Sequence, residues 1–278
     1  MKAESGYIDG LYFEIMGCRD THAATLILSS GLGGSANYWA PNVTELGKRY
    51  RLLLYDHRGT GRSAPHLPAP CTVDGMAADI ITLMDGLDID RAHLVGHAAG
   101  GLMGLSIALD MPERLTSLVV VNGWAKADPH FLRCFETRLA LLRDSGPRAY
   151  LRAQPIFLYP APWISANSDR LDAEEKVHLA HFPPIDTIER RIAALAAFDI
   201  SDRLDQIGVP LLALAAADDM LVPAPCSARL AAAVPGAALA TMPGGGHACN
   251  VTKPAMFDSL VLDFLARSER RSMSALAG

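Results

Sequence analysis

Residues 91–101 read RAHLVGHAAGG. The first half is a short apolar run, the second a tight turn bracketed by Gly96 and Gly100, and an apolar stretch of helical character follows. A strand that turns through glycines into a helix is the opening of a βαβ unit. Similar runs recur on either side: ATLILSS (24–30), YRLLLYD (50–56), LTSLVVVN (115–122) and PLLALAAA (210–217). They are continuously apolar rather than alternating, the pattern of strands buried on both faces of a parallel sheet. Between them Met76, Ile80, Ile81, Met84 and Leu87 recur at helical spacing, as do Met256, Leu260, Val261, Phe264 and Leu265. The alternation predicts a doubly wound α/β fold with a mostly parallel central sheet and helices on both faces. YIDGLYFEIMG (7–17) fits an antiparallel edge hairpin.

One segment breaks the alternation. From about 125 to 197 no strand pattern appears, and the stretch is rich in aromatics and prolines, including Phe131, Phe135, Tyr150, Trp163, Pro155 and Pro184. It is expected to be a helical lid or cap at the carboxyl edge of the strands, where open α/β sheets bind ligands. The alternative is that its aromatics only form a small core of its own. The expected division is a core of residues 1–124 and 198–278 with a helical cap of 125–197. RSERRSMSALAG at the end (267–278) is expected to be a frayed polar tail.

The balance of 25 basic and 30 acidic residues gives a net charge of −5, which carries no footprint for nucleic acid or an anionic membrane. Five widely spaced cysteines without a CxxC pair argue against a disulfide framework and a zinc site, and favour a reducing cytoplasm. The first ten residues lack the apolar core of a signal peptide. The longest uncharged runs are interrupted by Gly or Pro, so no membrane span is expected. Neither a metal nor an organic cofactor is expected, because no ligand cluster, GxGxxG or P-loop occurs. A small-molecule substrate is expected as partner, with a homodimer as the commonest oligomer in general.

Gly96-His97-Ala98-Ala99-Gly100 has the strand–turn–helix context of the nucleophile elbow G-x-S-x-G, but its central residue is Ala98, which cannot be acylated. SSGLGGS (29–35) follows the first central strand, where an oxyanion-hole amide is expected; Leu32 and Ala99 are the candidate donors. Asp219 follows the strand 210–217 and can orient an imidazole; the plain alternative for Asp218 or Asp219 is a helix cap. His247, after three glycines on a late loop, is the candidate general base. His97 and Cys249 read as packed, structural neighbours. Asp56, within DHRGTGRS (56–63), is expected to hold a loop rather than to react.

The elbow, the D-x-R-G-x-G-x-S loop, ADDMLVP (217–223) and GGH together resemble the α/β-hydrolase superfamily over nearly the whole chain. SSGLGGSANYW, VNGW, AQPIFLYPAPW, LAHF and GGHACNVT further resemble the protein D family of the bacterial Rut pyrimidine-utilisation pathway. That resemblance implies that Ala98 is the natural residue. It also implies hydrolysis of a labile intermediate of uracil breakdown: carbamate, giving ammonia and carbon dioxide, or aminoacrylate, giving malonic semialdehyde and ammonia. Two other readings stay open on the residues alone. One is a lyase on the same fold with His247 as base; the other is a degenerate hydrolase that binds a small molecule without turnover.

Overall fold

The computed structural model describes residues 4–276, with side chains up to residue 270. The strands are β1 (Glu4–Ile8), β2 (Leu11–Gly17), β3 (Thr25–Ser29), β4 (Arg51–Tyr55), β5 (Ala92–His97), β6 (Leu115–Val121), β7 (Leu211–Ala216) and β8 (Ala238–Met242). They form one sheet in the order β1-β2-β4-β3-β5-β6-β7-β8. The five continuously apolar runs are β3 to β7. The edge hairpin is also present: β1 pairs antiparallel with β2, which pairs antiparallel with β4, and all other pairs are parallel.

The helices are α1 (Ala40–Leu46), α2 (Val73–Gly86), α3 (Ala99–Asp110), α4 (Pro129–Leu158), α5 (Ala161–Ala166), α6 (Ser168–Ala180), α7 (Ile185–Ala197), α8 (Pro225–Ala233), α9 (Cys249–Thr252) and α10 (Pro254–Leu276). Continuous apolar strands work because alternate residues enter two different cores. Ile27, Leu53, Leu94, Leu118 and Val120 pack with α2 and α3 on one face. Leu26, Leu28, Leu52, Val95, Val119 and Leu214 pack with α1 and α10 on the other. Each fully buried Leu or Ile contributes about 1.5–3 kcal/mol by leaving water.

Between β6 and β7 the chain is helical, from α4 through α7. Gly146, at φ 81°, breaks α4 into two pieces, and Pro147 begins the second. Phe131, Phe135, Tyr150 and Ile192 from this segment join the same buried cluster as Trp124 and Ala98. The segment therefore packs onto the core rather than only onto itself.

One strand was not foreseen, and one expectation needs correction. β8 lies within a stretch that showed no strand signal. Its residues ALATM are small and half exposed at the sheet edge, so the continuous apolar signature is missing. The polar tail is also not frayed at 267–270. Phe257, Val261, Phe264, Leu265 and Ser268 continue one buried face of α10. Glu269 bonds Tyr50 at 2.8 Å and pairs with Arg49. Residues 277 and 278 lie outside the described residues. Among the described residues, no helix is long and apolar enough to cross a membrane.

The C-terminal anchor carries a pH dependence. His93 lies buried on β5, with Nδ1 2.7 Å from Ser117 Oγ and Nε2 3.6 Å from Glu269. Burial pushes its imidazole down to about 4, against the upward pull of Glu269. Between pH 6.5 and 4 the unfolded chain binds a proton that the folded chain refuses. Stability present above pH 6.5 is thus lost as pH falls, by up to about 1.4 kcal/mol per pH unit for this group. Burial holds His57 and His97 low as well and adds to the slope, while Asp258, pushed up to about 6, opposes it. In urea unfolding from pH 7 to 4.5, His93→Asn should show a slope shallower by close to one proton. Parallel slopes would rule out this role for His93.

Candidate active site

The strand order reverses between β3 and β5, the point of an open α/β sheet where ligands bind, beyond the carboxyl ends of the strands. Every candidate catalytic or oxyanion residue follows the carboxyl end of a strand: Leu32 after β3, Ala98 and Ala99 after β5, Asp219 after β7, and His247 after β8.

Ala98 sits at φ 46° and ψ −109°, in the left-handed region that alanine seldom adopts. Such a residue costs about 1–3 kcal/mol and persists only where its surroundings fix it. Here its amide donates to Val121 O at 2.8 Å and its carbonyl accepts from Leu102 N at 3.0 Å. The Gly100 amide, bonded to Ser30 O at 3.1 Å, ties the elbow to the β3 loop. The flanking glycines are required for space. A Cβ on Gly96 would lie 2.3 Å from Gly100 O, and one on Gly100 would lie 2.3 Å from Ser29 O. The amides of Leu32 and Ala99 have no protein acceptor among the described residues.

His247 is buried, and its Nδ1 lies 2.7 Å from Asp219 Oδ2. The other oxygen of Asp219 accepts from the amides of Leu221 and Val222 at 2.8 and 2.9 Å. The carboxylate is thus locked from one side by backbone and faces the imidazole with the other. This leaves Nε2 as the second ring nitrogen for a reactant. Asp219 does not act as a simple cap. Asp218 works elsewhere, since its Oδ1 accepts from Gly246 N at 2.8 Å and holds the histidine loop.

The carbonyl of His247 is fixed in turn. It accepts from Asn122 Nδ2 at 2.7 Å and from His97 Nε2 at 2.8 Å. His97 therefore carries its proton on Nε2, and burial holds the ring neutral. Its ring lies 4.5 Å from that of His247 and 4.9 Å from that of Tyr38. Asn122, at φ 49°, also accepts from Ala216 N at 2.9 Å and so joins the ends of β6 and β7. Sequence reasoning gave Asn122 no role; the only cue was an Asn-Gly pair at a strand end. Cys249 is buried beside Asn122, and burial first, then the nearby Asp219 charge, pushes its thiol up to about 12. It is not a thiolate nucleophile. Asp56 bonds Ala36 N at 2.8 Å and Arg62 Nε at 2.7 Å, so it braces the β3 and β4 loops.

The helical segment meets the site at the histidine loop. Leu158 O, at the end of α4, accepts from Ala248 N at 3.0 Å. Among the described residues no group of three or more His, Cys, Asp or Glu side chains is placed to hold a metal ion.

With its mostly parallel sheet, its elbow and its strand-end histidine and aspartate, the chain belongs to the α/β hydrolase fold family, which matches it over residues 24–254. Its relatives narrow the comparison. It is 55% identical over 263 residues to a Caulobacter species protein named "Putative carbamate hydrolase RutD", covering 95% of this chain and 98% of that one. A protein of the same name from Pseudomonas syringae is 49% identical over 256 residues, 92% of this chain and 99% of the other. Among solved structures, the enol-lactonase from Burkholderia xenovorans superposes with a TM-score of 0.85 at 27% identity, covering 95% of this chain and all of that one. A hydrolase from Pseudomonas aeruginosa gives 0.83 at 26% identity, covering 95% of this chain and 98% of the other.

Proposed function

We propose that this protein hydrolyses carbamate to ammonia and carbon dioxide in uracil breakdown, with water in place of a serine nucleophile. The observation that carries the reading is the His247–Asp219 hydrogen bond of 2.7 Å, kept beside an elbow whose central residue has no oxygen. The relatives named for this activity support the substrate.

A serine hydrolase stripped of its triad keeps roughly 10³–10⁴-fold acceleration from its oxyanion hole and binding. That is about 4–5.5 kcal/mol of barrier, too little for an amide and enough for a substrate that already decays unaided. In the proposed reaction a water oxygen adds to the carbamate carbon, and His247 Nε2 takes the water proton. The amides of Leu32 and Ala99 stabilise the oxyanion charge. His247 then gives the proton to nitrogen, the C–N bond breaks, ammonia leaves, and the carbon is released as bicarbonate, the hydrated anion of carbon dioxide. Asp219 holds the imidazole in the tautomer that accepts at Nε2 and balances its charge once protonated.

The substrate is tested by comparing two candidates. Fresh carbamate, and aminoacrylate generated in situ, are followed with enzyme and with buffer alone. The expected result is carbamate decay that accelerates in proportion to enzyme. Acceleration of aminoacrylate alone would move the reaction to that substrate. Acceleration of neither would leave only a binding role.

A further inference from the structure

The helical segment brings two arginines into the interior, and among the described residues neither is bonded to a carboxylate. Arg138 on α4 is 3% exposed and Arg191 on α7 is 1% exposed. A buried charge is ordinarily paired, because desolvating it costs several kcal/mol. Arg138 Nη2 instead donates to the Tyr150 hydroxyl at 2.8 Å and to Gln154 Oε1 at 3.0 Å. Its guanidinium lies 4.6 Å from the Tyr150 ring centre and 5.0 Å from that of Phe135. Arg191 Nη2 donates to His57 Nδ1 at 2.7 Å, and Nη1 to Arg58 O at 3.3 Å. Asp79 is near enough for Arg191 to feel its charge, but that carboxylate is bonded to Arg58.

Three donors of this group are buried with no protein partner among the described residues: Arg138 Nε, Arg191 Nε and His57 Nε2. The last is an N–H, because Arg191 occupies Nδ1 as donor. Helices α4 and α7, which carry the two arginines, pack against each other, and the Tyr150 hydroxyl is near enough to both guanidinium groups to feel their charges. Arg191 also lies against the β3 loop: a Cβ on Gly34 would be 3.2 Å from its Nη1. That loop carries the Leu32 amide. Two buried cations with no bonded carboxylate among the described residues, one of them with His57 beside the β3 loop, and three idle donors suit an anion.

We infer that Arg138 and Arg191 form a carboxylate-binding site between the helical segment and the core, which holds the anionic end of a small carboxylate substrate. The inference deepens the carbamate reading and rests on it for the choice of substrate. It also assigns the helical segment a function: charge selection.

The test uses acrylate, an unreactive small carboxylate, and acrylamide, its neutral counterpart, in calorimetric titrations of the wild-type protein. Acrylate should bind and acrylamide should not. Arg138→Met and Arg191→Met should each weaken acrylate at least tenfold, and should raise KM for carbamate about tenfold with kcat changed far less. If either variant fails to fold, a crystal structure of the wild type with acrylate decides, its carboxylate lying against both guanidinium groups. Equal binding of acrylamide, undiminished binding in folded variants, or a carboxylate seated elsewhere overturns the site. The two readings fail separately. Acrylate bound at the arginines without carbamate turnover refutes the hydrolase and keeps the site. Turnover with unchanged KM in both variants refutes the site and keeps the hydrolase.

Discussion

Ala98→Ser should convert the protein into an esterase. The backbone at position 98 already holds the elbow conformation, at φ 46° and ψ −109°, so the substitution adds one oxygen to an existing Cβ without new strain. The rest of a hydroxyl-activating pair is present, since His247 is bonded to Asp219 at 2.7 Å. In a serine protease, loss of the nucleophile alone costs about 10⁶ in kcat. Restoring it in a site not tuned for esters should recover part of that, at least about 100-fold on p-nitrophenyl acetate over wild type. The variant should also take up a fluorophosphonate at position 98, visible as a mass increase of the intact protein, whereas wild type should not. A folded variant that neither hydrolyses the ester nor labels would mean that His247 does not serve position 98.

His247→Ala should remove most of the catalysed decay of carbamate. General acid–base catalysis typically contributes 10²–10⁴-fold, so the loss should be at least about tenfold. The fold should survive, because the interactions that fix this loop run through the His247 carbonyl rather than its ring. Asn122 and His97 both donate to that carbonyl, and Asp218 holds the adjacent Gly246 amide. Melting curves close to wild type would separate lost chemistry from lost structure.

The parts of this architecture that obey a simple periodicity could be read from sequence. β3 to β7 are buried on both faces, and their continuous apolar runs said so. Ala98, Asp219 and His247 were legible because glycine turns and strand ends bracket them. β8 was not, since an edge strand of small, half-exposed residues has neither signature. Asn122 was missed, and Asp218 was read only as a possible cap, because each works through a backbone partner far away in sequence, His247 O for one and Gly246 N for the other. Arg191 was hidden by its neighbour. Arg190 and Arg191 are adjacent in sequence, but a helix turns about 100° per residue. One reaches outward to Pro68 O, and the other is sealed against His57.

Catalysis by a histidine–aspartate pair without a side-chain nucleophile is tested most directly by stopped-flow decay of fresh carbamate at alkaline pH. Wild type and His247→Ala are compared with buffer. The account predicts decay that accelerates with wild-type concentration, shows no burst, and falls in the variant to about a tenth of the catalysed rate or less. Decay in wild type no faster than buffer, or a variant as fast as wild type, would contradict it.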